Sequence, residues 1–311
     1  MDMPLPSGYS TRPARVEDWE QVLTLIVTRN LADYSEPLYS SQDLADLWNA
    51  LELDQDTWVV VSPDGRIAAY ADLQRRGPIQ FDVAFYTASG HPQTELGMHL
   101  LEQAEVRAVS VADNPVRLIG RVGGDNEAAT HSFEQAGFIS GLTFLLMEIN
   151  MDSPPPSAEW VAGYIVRPFA RGKDEQVAYQ VDEEASLDKG YHTPLSFEAW
   201  SGRMSLNKLD FDPSLWFLAC ESEQVVGVAL NTFSRESGCG WVDHLGVLRE
   251  WRNQGVGTAL LYHTFGVFYG RGIHKVKLSV DSGSLTNAPR LYERVGMSTT
   301  QKYHIFSKSA A

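Results

Sequence analysis

The amino-acid sequence predicts a mixed α/β protein written as two copies of one domain of about 150 residues. Three observations predict it. Matching motifs recur in the same order at near-constant offsets. A proline-rich segment separates the two runs. Within each run, apolar segments of strand length alternate with segments of helical periodicity. The repeat is concrete. Arg12-Pro13-Ala14 stands 155 residues before Arg167-Pro168-Phe169, and each is followed by an acidic, apolar-periodic segment. Trp58-Val59-Val60-Val61 stands 158 before Trp216-Phe217-Leu218-Ala219. Gly97 with Leu100-Leu101 stands 160 before Gly257 with Leu260-Leu261. Phe133 to Phe138 stands 159 before Tyr292 to Met297.

The elements of the second copy follow in order. Tyr164-Ile165-Val166-Arg167 reads as a strand, leading to a helix that starts near Gly172-Lys173-Asp174. A polar, irregular stretch covers 187–196, and Ser196-Phe197-Glu198-Ala199-Trp200 reads as a capped second helix. Strands at 216–220 and 225–232 flank the polar turn Glu221-Ser222-Glu223-Gln224. In the first copy, strands at 58–61 and 67–73 flank Ser62-Pro63-Asp64-Gly65-Arg66, a turn of the same kind, and the first helix starts near Glu17-Asp18. A strand at 240–247 feeds a long helix from about Gly255 to Tyr269, which ends before Gly270-Arg271-Gly272. Lys275 to Val280 alternates as a half-buried strand does. A helix holds 290–295 and a final strand 302–306. Between the copies, Asp152-Ser153-Pro154-Pro155-Pro156-Ser157-Ala158 removes backbone donors and favours extended geometry. The expected division is a first domain at 1–152, a linker at 153–160 and a second domain at 161–311.

Composition narrows the function. The net charge is −15, which argues against nucleic acid as a partner, because phosphate backbones need basic surfaces. It suits a cationic substrate, and solubility alone also accounts for it. The two cysteines, Cys220 and Cys239, form no C-x-x-C pair and imply no disulfide framework. No residue cluster suggests a metal. The N-terminus lacks the charged and apolar regions of a signal peptide, and no apolar run approaches membrane-spanning length, so a soluble, cytoplasmic protein is expected.

The functional signal is densest at 246–261, where an extended run turns tightly into a helix: Arg252-Asn253-Gln254-Gly255-Val256-Gly257-Thr258. Unpaired N–H groups and the positive end of a helix dipole favour an anion at such a turn, and glycine lets the backbone approach phosphate oxygens closely. The Arg252-x-x-Gly255-x-Gly257 spacing resembles the pyrophosphate-binding motif of the GCN5-related N-acetyltransferases (the GNAT family). The resemblance extends through Leu260-Leu261 to Leu291-Tyr292-Glu293-Arg294-Val295-Gly296-Met297, and the order of elements covers nearly all of both copies. It implies two tandem domains, each a central mixed β-sheet flanked by helices. It also implies acetyl-CoA as cofactor and transfer of an acetyl group to a primary amine of a small molecule or peptide.

The resemblance assigns roles residue by residue. Leu245, Gly246 and Val247 end the strand whose backbone receives the thioester oxygen, and Arg252, Asn253, Gln254, Gly255, Val256, Gly257 and Thr258 hold the pyrophosphate. Ser284 and Asn287 are the two candidates for reaching the pantetheine, and either could instead cap the following helix. Tyr292 matches the acid that protonates the leaving thiolate. The acceptor amine must be neutral, so a base is expected. Asp243 and His244 lie on the strand leading into the turn. Strict alternation puts them on opposite faces, with Asp243 on the face of Leu245 and Val247, which selects Asp243. Asp182, Glu183, Glu184 and Asp188 could attract a cationic substrate or form a solvated face.

The first copy departs from this pattern. Aligning Gly97 with Gly257 puts Glu95 at Gly255 and Pro92 at Arg252, and Phe133 replaces Tyr292. A carboxylate at a pyrophosphate turn is repulsive, so the first copy is expected to be degenerate and the second catalytic. Tandem members of the family, including those of mycothiol-synthase type, share this layout, so mycothiol-synthase-like activity is one alternative within the class. A non-catalytic acyl-CoA-binding or sensing protein is another reading. Acceptor, acyl chain length and oligomeric state carry no signature.

Overall fold

A computed structural model describes residues 4–34, 39–112, 115–160, 162–189, 192–204, 206, 211–235 and 237–311. Met1 to Met3 of the N-terminus and Gly190-Tyr191 of the irregular stretch therefore lie outside the described residues, as do Ser205, residues 207–210 and Glu236 of the segments expected to shape the acceptor site. The chain divides into two compact units, residues 1–144 with 301–311, and residues 145–300.

The first unit contains β1 (Ser10–Arg12), α1 (Trp19–Tyr34), α2 (Ser41–Ala50), α3 (Leu53–Asp56), β2 (Thr57–Val61), β3 (Ile67–Arg75), β4 (Gln80–Thr87), α4 (Gln93–Ser110), β5 (Val116–Gly123), α5 (Glu127–Gln135) and the first half of β6 (Ile139–Asn150). The second holds β7 (Tyr164–Pro168), α6 (Glu175–Ser186), α7 (Phe197–Arg203), β8 (Trp216–Glu221), β9 (Gln224–Ser234), β10 (Cys239–Val247), α8 (Val256–Gly270), β11 (Lys275–Asp281), α9 (Ala288–Arg294) and the start of β12 (Ser298–Ala310). Strand neighbours run β1-β2-β3-β4-β5-β12 in the first unit and β6-β11-β10-β9-β8-β7 in the second. Each sheet is mixed: β4 runs parallel to β5 and β10 to β11, and the other registered pairs are antiparallel.

Each sheet buries an apolar cluster on both faces. In the first unit, α4 packs Leu96, Leu100 and Leu101 against Ala69, Ala71 and Leu73 of β3, while α1 and α2 pack Ile26, Leu44 and Trp48 against Val59 and Tyr70. In the second, α6 and α7 bring Val181 and Trp200 onto Leu218 and Leu230, and α8 brings Leu261, Phe265 and Phe268 onto Val276 and Leu278. The repeated Arg-Pro motifs have one job in both units. Arg12 grips Asp18 through two bonds of 2.6 and 2.8 Å, and Arg167 grips Asp174 through two of the same lengths. Such bidentate pairs are geometrically specific. Here each ties the first strand to the start of the first helix.

The units differ from the expected division at their last strands. β12 is the last strand of the second copy in sequence, yet Tyr303 to Ala310 pair with Gly123 to Val116 of β5. Phe306 is the reason: it is buried in the first unit and stacks on Phe133 at 5.1 Å. Conversely, Met147 and Met151 at the end of β6 are buried among Phe265, Leu278 and Met297 of the second unit. Among the described residues no helix is long and apolar enough to cross a membrane.

Candidate active site

The second unit is organised around the C-terminal half of β10. The parallel ladder between β10 and β11 consists of Gly240–Val276 and Trp241–Lys277 and then stops, although β10 continues to Val247 and β11 to Asp281. Beyond Trp241 the two strands part, which leaves the backbone edge of β10 facing β11 without ladder partners. Unpaired edge N–H and C=O groups are strong hydrogen-bonding sites for an extended ligand.

A bulge shapes the same strand. On the β9 side the register runs Val242–Asn231 and then His244–Leu230, so Asp243 is the extra residue. The bulge defeats the alternation argument that selected Asp243. Asp243 is solvent-exposed, yet burial of its surroundings raises its pKa, against the opposing effects of Thr232 and His244. His244 instead turns under α6: its Nδ1 lies 2.9 Å from Oδ1 of Asp182 and 2.8 Å from Oδ2. Asp182 is buried and accepts a second bond of 2.8 Å from Trp200 Nε1 on α7. Burial alone would raise the Asp182 pKa; the bonds from His244 and Trp200 and the His244 charge outweigh it and hold the carboxyl below its ordinary range. Gly246 lets α6 come this close, since a Cβ there would sit 2.9 Å from Ala185 Cβ.

After Val247 the chain makes a short 3-10 turn at Arg249–Trp251, then two left-handed residues, Asn253 (φ 61°) and Gly255 (φ 84°). Gly255 is the N-cap of α8 and no side chain caps it. The first helical bond is Ala259 N to Gly255 O, so the amides of Val256, Gly257 and Thr258 have no helical acceptor. A Cβ on Gly257 would lie in ordinary contact, 3.4 Å from Leu291 Cδ2 and 3.8 Å from Val247 Cγ2. The strand end, the helix start and α9 therefore meet at one point. Tyr292, the next residue on α9, is buried in the same cluster as Leu278 and Val280 of β11.

Arg252 is occupied by protein. Its guanidinium bonds to Val247 O at 2.9 Å, to Ala185 O at 3.2 Å and to the Asp188 carboxylate, which also binds Arg249. Arg252 thus pins the turn to the end of α6, and the two arginines hold the Asp188 carboxyl below its ordinary range. Gln254 accepts a 2.7 Å bond from the Tyr164 hydroxyl. Of the remaining acidic residues, Glu183 accepts from Leu195 N at 3.0 Å and pairs with His192, and Glu184 is exposed. Asn287 is the N-cap of α9 in a left-handed conformation (φ 58°), but its side chain makes no capping bond. Ser284 Oγ pairs with Thr286 Oγ1 at 3.0 Å. Capping therefore explains neither side chain.

The corresponding turn of the first unit is built differently. α4 starts at an N-cap of Pro92, which places Glu95 third and Gly97 fifth in the helix, whereas Gly257 is second in α8. The space a Cβ on Gly97 would need is filled by Ser132 Oγ and the Phe85 ring, and Ser132 Oγ donates to Thr94 O at 3.1 Å. Phe133, at the place of Tyr292, is core, and its ring fills the space above Gly120.

Comparison with known proteins gives four findings. A sequence profile described as "Acetyltransferase (GNAT) family" matches residues 180–297. The chain is similar to a solved GCN5-related N-acetyltransferase from Sphaerobacter thermophilus, with 35% identity, 98% of this chain and 97% of that one covered, and a TM-score of 0.84. It shares its fold with a tandem GNAT protein from the clavulanic acid biosynthesis pathway, at 14% identity, 97% and 99% coverage and a TM-score of 0.72. Among curated relatives it is 29% identical over 178 residues to a mycothiol acetyltransferase of Thermobispora bispora, a match that spans 56% of this chain and 59% of that relative's length.

Proposed function

Because the chain belongs to the GCN5-related N-acetyltransferases, we propose that its second unit transfers an acetyl group from acetyl-CoA to the primary amine of a small molecule or peptide. One observation carries this reading: the β10–β11 ladder ends early, beside a helix start with no side-chain cap. An open strand edge suits an extended amide-bearing chain, and three free amides at a helix N-terminus suit phosphates.

Acetyl-CoA would supply the acetyl group as a thioester. The β10 edge at Leu245, Gly246 and Val247 offers backbone donors to the carbonyl oxygen, where charge develops as the amine adds. The amides of Val256, Gly257 and Thr258 receive the pyrophosphate. Arg252 holds the turn through three of its five N–H donors, and the other two remain for the pyrophosphate. Asn253, Gln254 and Gly255 shape the turn, and Asn287 and Ser284 border the cleft on the α9 side. His244 accepts the proton lost by the acceptor amine, with Asp182 fixing its ring through Nδ1 and leaving Nε2 for the substrate. Asp243 is the second candidate for this proton. As the C–S bond breaks, the Tyr292 hydroxyl gives its proton to sulfur.

The acceptor is sought among small amines, aminoglycosides, amino acids, peptides and thiol-sugar amines; similarity to the mycothiol acetyltransferase puts the last group on the panel. The experiment is CoA-thiol release from acetyl-CoA across that panel, with Tyr292→Phe and His244→Ala beside the parent. Release that needs one acceptor class and falls in both variants supports the reading. Binding of acetyl-CoA with no acceptor-dependent release would favour a sensing role instead.

A further inference from the structure

The first unit holds a hollow that the acetyl-transfer reading does not use. β3 and β4 pair Tyr70 with Tyr86, Asp72 with Ala84 and Gln74 with Asp82, so these six side chains share the α1/α2 face of the sheet. Ala84 stands one residue past the last β4–β5 pair, Val83–Gly120, and is partly exposed, as is Ile119, the β5 partner of Asp82. Accessible side chains on central strands mean that the helices leave this part of the face open. Tyr34, Tyr39 and Tyr86 are half-buried around it. Tyr86 stacks on Tyr70 at 6.5 Å, and Tyr39 and Tyr86 pack against the same cluster. Tyr34 lies over Gly123, where a Cβ would come within 2.0 Å of its ring.

At the base is Asp72, 2% exposed. Gln74 Nε2 donates to it at 2.8 Å, and Tyr70, whose oxygen accepts from Trp48 Nε1 at 3.0 Å, is free to donate its own proton. Among the described residues, no ion pair includes Asp72; nearby Arg76 and Arg121 both go to Asp82 instead, at 3.0 and 3.5 Å. A buried carboxylate without a counter-charge is costly, and burial pushes Asp72 up to about 6. Tyrosine faces and a carboxylate together recognise one ligand chemistry, a positively charged nitrogen.

We propose that this hollow binds an organic ammonium ion, its charge against Asp72 and its alkyl part against the faces of Tyr34, Tyr39 and Tyr86. The inference does not rest on the second unit's reaction. The first unit is then a cation-binding module in place of a second catalytic centre.

The test is calorimetric titration of the full chain with n-butylammonium chloride, with n-butanol as the uncharged analogue. The parent, Asp72→Asn, Tyr86→Leu and His244→Ala are compared, each checked for folding by circular dichroism. Saturable binding of the ammonium but not the alcohol is expected. It should weaken about tenfold or more in Asp72→Asn, the loss typical of a charge contact in a desolvated site, and persist in His244→Ala. Asp72→Asn is close to isosteric and carries the test even if Tyr86→Leu does not fold. No saturable binding to the parent, equal binding to Asp72→Asn, or binding lost only in His244→Ala would each overturn the proposal.

Discussion

His244 and Asp182 are 62 residues apart in sequence, yet Nδ1 of one lies 2.9 Å from Oδ1 of the other, on the face of β10 where α6 crosses it. Trp200 fixes the carboxylate from the far side. A buried acid that orients an imidazole through one nitrogen leaves the other to handle a proton. The pair therefore has the parts of a base and its support. Replacing His244 with Ala should lower kcat by about 10²–10⁴, the range for a lost general base. Acetyl-CoA affinity should stay near that of the parent. Asp182→Asn should fall between the two, because Asn can hold the ring but not its charge. Steady-state kinetics check this. If His244→Ala keeps full turnover while Asp243→Asn loses it, the base is Asp243.

Tyr292 is buried on α9 and shares an apolar cluster with Leu278 and Val280. Tyr292→Phe keeps the ring and removes the hydroxyl, so stability and acetyl-CoA binding should be retained while turnover falls. Unchanged turnover would make Tyr292 a core residue and put the proton donor elsewhere.

Much of this was readable in the sequence, for physical reasons that can be located. Gly255 stands out because the turn into α8 needs a left-handed residue there. The elements stand out because a buried face imposes a period. What escaped depends on contacts that local pattern does not encode. The extra residue Asp243 breaks a period of two, and a bulge leaves no trace in a nine-residue strand. The partners of Asp182 come from β10 and α7, so in sequence it reads as one more acid in Asp182-Glu183-Glu184. Arg252 reads as a phosphate ligand from its motif, and its bonds to Asp188, Val247 O and Ala185 O are contacts that the motif does not encode. The placement of β12 turns on Phe306 fitting Phe133, a choice between two similar sheets that periodicity alone does not make.

The turn into α8 yields a prediction that separates backbone geometry from charge. Gly255 has φ 84° with open space around it, so Gly255→Ala meets no clash and costs about 1–2 kcal/mol through the left-handed backbone. Gly257→Glu places a carboxylate in the first turn beside Leu291 and Val247, and acetyl-CoA affinity should be lost. Thermal melts and acetyl-CoA titration of both variants check this. Full affinity in Gly257→Glu would remove the pyrophosphate assignment.

Asp72 gives a pH dependence with a definite sign. Its carboxyl is raised from 3.8 to about 6, chiefly by burial, with Asp82 adding to the shift and Gln74, Arg76 and Tyr70 opposing it. The native state then holds this proton more tightly than the unfolded chain, so stability falls as pH rises. The loss begins near pH 4 and is complete above about pH 6. A shift of this size corresponds to about 3 kcal/mol as an upper figure. Asp72→Asn removes the titration. The variant should be more stable than the parent at pH 7.5, and the advantage should shrink towards zero near pH 4. Urea unfolding of both proteins at several pH values measures it. A stability difference that does not change with pH would mean that Asp72 is already compensated in the native state, and that nothing about its burial calls for a cation.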